Sequence, residues 1–353
     1  MGWNYPQHLK EEHVRKIPIN EAVGLTLCHD ITQIVPEQVK RRAFKRGHVI
    51  EAEDIPILLN LGKEHIYVWE DDEGLVHEDE AALALAKSAA GQGLTMTEPN
   101  QGKVNLVASI DGLLKVRVES LNRINDIEGI ILASLHNNRV IKRGTVVAGT
   151  RIIPLAIESA TLARAKKICA DDGPLLSIKP FRPLKVGLVT TGNEVYQGRI
   201  KDGFCSVISQ KISDFGASLM RQVIVPDDPD VISSEIRQLI ADGAELVMVT
   251  GGMSVDPDDT TPTGIRRSGA QVVFYGVPVL PGSMLMLAYH GDTPICGLPG
   301  CVMFNGTTSL DLILPHLVAG ERLTRSWAVS LGHGGLCQEC PECHFPDCAF
   351  GKS

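Results

Sequence analysis

From Leu184 onward, strand-like and helix-like segments alternate at a length that few architectures accept. Lys185–Thr190 reads as a strand. Ser206–Phe215 reads as a helix with Val207, Ile208, Ile212 and Phe215 on its apolar side, stopped by Gly216. Leu219–Val225 is a second strand. Asp227-Asp228-Pro229 then opens a helix with acids and a proline where the helix N-terminus favours them. Ile232, Ile236, Leu239 and Ile240 recur along it at helical spacing, and Gly243 ends it. Leu246–Val249 is a short apolar run, the mark of a parallel strand buried on both faces. Val272–Tyr275, Met284–Ala288 and Pro294–Cys296 supply further strands, and Cys301–Val318 a helix that Pro315 kinks or ends. The expectation is an α/β fold with a three-layer, doubly wound, mostly parallel sheet.

The Leu246–Val249 strand runs into Thr250-Gly251-Gly252, where the backbone can turn sharply and a ligand can approach the main chain. Asp256, Asp258 and Asp259 follow within a few positions. Carboxylates crowded together repel one another unless they are solvated or face a metal ion or ligand donors. In open α/β sheets ligands sit beyond the carboxyl ends of the strands, so this loop is the expected floor of a site.

The chain has 353 residues, enough for two or three domains, with 44% hydrophobic and 22% charged residues, as in water-soluble globular proteins. A net charge of −8 argues against a nucleic-acid partner. No apolar run reaches membrane-spanning length, and Met1–Lys16 lacks a signal-peptide core, so a cytoplasmic protein without membrane partner is expected. In that reducing compartment the nine cysteines are thiols or metal ligands rather than disulfides.

Four segments are expected: an N-terminal β-rich domain (1–71), an α+β middle domain with linker (72–182), the α/β domain (183–325) and a Cys-rich tail (326–353). In the first, Glu21–Leu27 and His65–Trp69 look like strands and Glu53–Leu61 like a short helix; the basic run Lys40–Arg46 reads as a solvated loop. Asp71, Asp72 and Glu73 with Gly74 mark the boundary. Glu78–Ala90 is a helix opened by acids and closed by Gly91. Gly102–Ala108 and Leu113–Val118 read as strands joined by an Asp111-Gly112 hairpin turn. Ile124–Asn137 mixes helix and strand, Thr145–Ile153 is a strand, and Ile157–Ala170 a helix. No catalytic constellation stands out there.

The α/β segment resembles the molybdopterin-binding domain shared by the MoeA, MogA and MoaB proteins and the E domain of gephyrin. Five motifs carry the resemblance, in order: Thr190-Thr191-Gly192-Asn193-Glu194, Val225-Pro226-Asp227-Asp228, Thr250-Gly251-Gly252-Met253-Ser254-Val255, Gly276–Gly282 ending in Pro-Gly, and Gly297-Leu298-Pro299-Gly300. The first segment is also similar to the N-terminal part of MoeA-like proteins, at Ala22-Val23-Gly24 and His29-Asp30. The resemblance implies a ligand, molybdopterin or its adenylated form, with Mg²⁺, and molybdate, AMP or ATP as further partners. It also implies a homo-oligomer, with other cofactor-assembly proteins as candidate partners. Carried onto this sequence, it implies ligand binding by Thr191, Gly192, Asn193, Gly251, Gly252, Ser254, Gly282, Ser283, Pro299 and Gly300. Glu194, Asp258 and Asp259 would be catalytic, and Asp256 and Asp259 would hold Mg²⁺.

Three departures leave the reaction open. Ser283 stands where the MoeA pattern has lysine after Pro-Gly, Cys301-Val302 follow Gly300 in place of Asn-Pro, and Asp256–Pro262 looks more like the MogA and MoaB pattern. The implied reaction is insertion of molybdate into adenylated molybdopterin with release of AMP. The alternatives are ATP-dependent adenylation of molybdopterin and a non-catalytic carrier or sensor.

The chain ends in Cys337-x2-Cys340-x2-Cys343-His344-x3-Cys348. Thiolates this close in sequence can wrap one ion or cluster: Zn²⁺ held by the four cysteines or by three of them with His344, or an iron–sulfur cluster. Gly332-His333-Gly334-Gly335 before them reads as a flexible hinge.

Overall fold

The computed structural model describes residues 14–35, 39–69, 74–254, 256 and 259–352. It divides into two compact units. The first comprises residues up to Ser109, Val116–Leu135 and Gly144–Ser177; the second Ile110–Lys115, His136–Arg143 and everything from Ile178.

In the first unit Val14–Pro18 pairs antiparallel with His65–Trp69, over a core of Ile17, Ile19, Leu27, Ile31, Ile50, Leu58 and Ile66. The short helix is Asp54–Asn60. Glu21–Leu27 is not the expected strand. A 3-10 turn spans Ile19–Glu21, Gly24 follows at φ +83°, and only isolated bridges at Thr26 and Leu27 remain. The basic run is likewise not a loop. Val39–Phe44 is a strand antiparallel to Ile31–Val35; Arg41 donates to Gln33 at 2.9 Å and Arg42 to Asp30 at 2.8 Å. Charge on a two-stranded ribbon is solvated as readily as on a loop, which is why composition did not separate the two. Asp71, Asp72 and Glu73 lie outside the described residues.

The same unit holds helices Glu78–Ala89 and Ser159–Asp172 and a four-stranded antiparallel sheet in the order Leu94–Met96, Lys103–Ala108, Val146–Ile152, Ile130–Ser134. The Asp111-Gly112 hairpin does not form. Lys103–Ala108 pairs with Leu94–Met96 and Val146–Ile152, whereas Gly112–Val116 pairs with Val140–Ile141. A turn dipeptide between two strand-like runs brings the strands together only if neither has a better partner.

The second unit is built on a six-stranded sheet in the order Ser218–Val225, Lys185–Thr191, Leu246–Thr250, Thr293–Leu298, Met286–His290, Gln271–Tyr275. The first four strands are parallel, and the last two antiparallel. Alternate residues face opposite sides, as strand geometry requires. Val186, Leu188, Leu246 and Met248 pack with Ile208, Ile212, Leu310, Ile313 and Leu314 on one side. Val189, Val247 and Val249 pack with Ile232, Ile236, Leu239 and Ile265 on the other. The helix Pro229–Ala241 is capped by Asp228, whose carboxylate accepts the N–H groups of Asp230 and Val231.

Cys301–Val318 is not one helix. A 3-10 turn covers Gly300–Met303, and the α-helix is Ser309–Val318. Asn305-Gly306 breaks the run, and Thr308 with Asp311 forms a reciprocal capping box that starts the helix afresh. Pro315 lies inside it. The strand expected at Met284–Ala288 starts later, at Met286–His290. Gly332–Gly335 are not a hinge: a Cβ on Gly335 would lie 2.3 Å from the Pro278 carbonyl oxygen, and Leu280 donates to the Gly335 carbonyl at 2.8 Å. Among the described residues no helix is long and apolar enough to cross a membrane.

Candidate functional site

Parallel pairing sets the strand ends side by side: Thr190 is level with Thr250, and Thr250 with Leu298. The segments leaving the Thr250 and Leu298 ends, with residues 282–284, line a cavity of about 450 Å³. Its lining includes Gly251, Gly252, Ser254, Asp256, Asp259, Gly282, Ser283, Pro299 and Gly300, so these expected site residues are brought together. Met253, Met284, Leu298 and Cys301 complete the wall. Burial raises the Cys301 thiol above its ordinary range, so it lines the wall as a neutral group.

Two glycines set the shape of this cavity. Gly251 has φ +86°, and a Cβ there would lie 2.3 Å from the Thr191 carbonyl oxygen. Gly282 has φ +111°, and a Cβ there would lie 2.3 Å from Ser309 Oγ. Only glycine allows both the left-handed turn and the close approach. Ser309 Oγ then donates to the Gly282 carbonyl at 2.7 Å.

Asp256 and Asp259 form a small closed turn: Asp259 N–H donates to the Asp256 carbonyl at 3.0 Å, and Asp256 N–H to Asp259 Oδ2 at 3.3 Å. Tyr275 OH donates to the Met253 carbonyl at 2.9 Å and so pins the loop. Its phenol is pushed above its ordinary range by burial and then by the Asp259 carboxylate. Asp258 lies outside the described residues.

Thr191 and Gly192 are buried beside this loop rather than in the cavity lining; Thr191 Oγ1 is 3.1 Å from Thr261 Oγ1. Asn193 and Glu194 are exposed on the short helix Asn193–Tyr196, and the Glu194 carboxylate folds back over Gly192. The structure therefore does not bring Glu194 to the cavity wall.

Sequence reasoning missed Asp227 as a site residue. Its Oδ2 accepts the Asn193 N–H at 2.8 Å, while its Oδ1 is buried without a partner. That oxygen points at the glycine loop, 3.6 Å from where a Gly252 Cβ would be. Thr250 Oγ1 and Thr260 Oγ1, which flank the loop in sequence, are also buried and unpartnered. Buried polar atoms normally have partners, so the stranded Asp227 oxygen beside the glycine loop marks a place where a donor or a cation is supplied by something else. The signal in the sequence was Val225-Pro226-Asp227-Asp228, where only Asp228 is used to cap a helix.

The donor set fits Mg²⁺. Its carboxylates in the cavity wall are Asp256 and Asp259, hard oxygen ligands of the kind Mg²⁺ prefers, and among the described residues no third His, Cys, Asp or Glu side chain is gathered with them. Among the described residues lining the cavity, none is Lys or Arg.

The cysteine tail forms a second cavity of about 320 Å³, lined by Cys337, Cys340, Cys343, His344 and Cys348 together with Phe304 and Thr307. The Cys343 thiol is held below its ordinary range by the Thr307 hydroxyl and then by the Phe345 backbone N–H. Among the described residues no three His, Cys, Asp or Glu side chains are already gathered closely enough to hold an ion.

Residues 187–319 match the family described as "Probable molybdopterin binding domain", and residues 16–70 match a family described as a domain of unknown function. The molybdopterin molybdenumtransferase of Synechococcus elongatus is 26% identical over 188 residues, covering 50% of this chain and 44% of that protein. A CinA-like protein of a Mycobacterium species is 32% identical over 83 residues, 24% of this chain and 20% of its own length. The chain thus spans less than half the length of these curated relatives. The crystal structure of the molybdopterin biosynthesis enzyme MoaB from Thermus thermophilus aligns at 22% identity and a TM-score of 0.32, over 39% of this chain and 98% of that one. Residues 187–319 of this chain are thus similar to the probable molybdopterin-binding domain family.

Proposed function

We propose that the cavity at the strand ends binds adenylated molybdopterin, and that the protein inserts molybdate into it with release of AMP. The observation that carries this reading is that the Gly251–Gly252 and Gly282 turns line one cavity with the carboxylates of Asp256 and Asp259. Backbone around Gly251–Gly252 and Gly282 offers N–H groups and close approach to phosphate oxygens. Asp256 and Asp259 line the same cavity, and no lysine or arginine does so among the described residues. An anionic phosphate cannot enter such a site alone, because like charges in a half-enclosed pocket repel strongly. A divalent cation held by Asp256 and Asp259, with the unpartnered Asp227 oxygen beside the Gly252 turn, resolves that conflict. Mg²⁺, when bound, neutralises phosphate charge and polarises the phosphoryl oxygens.

The chain's own groups do the rest. Ser254 and Ser283 supply hydroxyls at the cavity wall, Pro299 and Gly300 limit its width, and Tyr275 keeps the carboxylate loop in place. Holding the pterin dithiolene and molybdate in one cavity lowers the entropic cost of their meeting. Glu194, exposed and folded over Gly192, acts at most on the approach to the site.

The test is AMP release from adenylated molybdopterin in the presence of Mg²⁺, with and without molybdate. Release that depends on molybdate supports insertion. Binding without release rejects it; formation of adenylated molybdopterin from ATP and molybdopterin would then assign adenylation, and its absence a carrier.

A further inference from the structure

The tail carries chemistry that the molybdopterin site does not use. Cys337, Cys340, Cys343 and Cys348 line one cavity, although the first and the last stand eleven positions apart. Two features shape them as ligands. Glu339 takes φ +51°, a left-handed turn between Cys337 and Cys340, and its N–H donates to Cys337 Sγ at 3.5 Å. Around Cys343, Thr307 Oγ1 lies 3.3 Å from Sγ. Hydrogen bonds to sulfur are what thiolate ligands of a metal receive from their surroundings. The segment is also anchored: Cys337 N–H donates to the Leu280 carbonyl at 2.8 Å, and Leu280 N–H to the Gly335 carbonyl at 2.8 Å.

We propose that Cys337, Cys340, Cys343 and Cys348 form a structural Zn²⁺ site. The thiols line the cavity without meeting, so loading draws them inward to the zinc–sulfur distance of about 2.3 Å. Four thiols lose their protons as the four Zn–S bonds form, and the protons pass to solvent. His344 stays outside the ligand set. It follows Cys343 directly, and four thiolates already complete a closed tetrahedral site. The ion braces two loops at once: the tail is bonded to Leu280, next to Pro281-Gly282, and it touches Thr307, in the segment that follows Gly300-Cys301. Both loops also wall the strand-end cavity.

The test titrates the reduced, metal-free full-length chain with Co²⁺ alone and then with Zn²⁺. About one equivalent of Co²⁺ is expected, with sulfur-to-metal charge-transfer absorption and the intense visible bands of a tetrahedral thiolate site, displaced by about one equivalent of Zn²⁺. Cys340→Ser and Cys343→Ser, both at exposed thiols, should each weaken binding at least about 100-fold, and His344→Ala should leave it unchanged. Alkylation of the wild-type chain with and without Zn²⁺, read by mass spectrometry, gives the same answer if a variant fails to fold. Protection of Cys337, Cys340, Cys343 and Cys348 upholds the site. Lack of stoichiometric binding, protection of other cysteines, or isolation of the chain with an iron–sulfur chromophore and acid-labile sulfide overturns it.

Discussion

Asp227 and Asn193 hold each other reciprocally, and the Asp227 N–H donates to Asn193 Oδ1 at 3.4 Å. The Asn193 N–H donates to Asp227 Oδ2 at 2.8 Å, and Asp227 Oδ1 is left buried with no partner beside the Gly251–Gly252 loop. A carboxylate oxygen shut off from water without a partner costs stability until a ligand or cation completes it. Asp227→Asn keeps an oxygen for Asn193 and removes the charge. The metal-free variant should therefore melt at the same temperature as the wild type or higher. Its affinity for adenylated molybdopterin with Mg²⁺ should fall at least about tenfold. Thermal melting and equilibrium binding on the same samples check both halves.

The loop glycines should differ in their tolerance of a side chain. At Gly251, an alanine combines a left-handed backbone with a 2.3 Å approach to the Thr191 carbonyl oxygen. The expected loss is on the order of 3 kcal/mol, from left-handed strain and overpacking together. At Gly300, which is exposed with open space where a Cβ would stand, alanine should cost less than about 0.5 kcal/mol. Denaturant unfolding of the two variants side by side measures the contrast.

Asp259 is the carboxylate placed both in the cavity wall and beside Tyr275. Asp259→Ala should lower turnover by about tenfold or more and raise the Mg²⁺ concentration needed for half-maximal activity. Full turnover at unchanged Mg²⁺ dependence would remove Asp259 from the metal set.

Acid stability should report on Glu321. Burial raises its carboxyl, but the His316 and Lys115 side chains outweigh burial and hold it at about 2. His316 Nδ1 lies 2.6 Å from Glu321 Oε2, and burial lowers the imidazole below its ordinary range, so a neutral ring donates from Nδ1 to the carboxylate. A depressed folded-state pKa stabilises the fold above the unfolded carboxyl value of about 4.3, and that contribution disappears as the pH falls toward 2. Glu321→Gln should lower the melting temperature at pH 7 and flatten the loss of stability between about pH 4.3 and 2. An unchanged acid limb would show that Glu321 does not drive it.

How much of this was legible in the sequence depends on what each residue answers to. Leu246–Val249 and Lys185–Thr190 read correctly because a strand buried on both faces must be apolar throughout. The Pro229–Ala241 helix read correctly because Asp228, Pro229 and the Ile232–Ile236–Leu239 spacing are all local signals. Asp111-Gly112 misled because a turn residue pair says nothing about which strand is the better partner. The break before Ser309 lay in Asn305-Gly306 and the Thr308 cap, overridden in the reading by the long apolar run around them. The motifs placed the cavity wall, since backbone and glycines carry it. They did not show that Glu194 lies exposed or that an oxygen of Asp227 is stranded, because side-chain orientation and orphaned polar atoms exist only in three dimensions.

The central claim is that the strand-end cavity holds a phosphorylated pterin through Mg²⁺ and carboxylates. Equilibrium binding of adenylated molybdopterin to the full-length chain, titrated with Mg²⁺ and repeated with Asp227→Asn and Asp259→Ala, tests it most directly. The account predicts Mg²⁺-dependent binding that each substitution weakens at least about tenfold. Binding that needs no divalent cation, or that both variants retain in full, would contradict it.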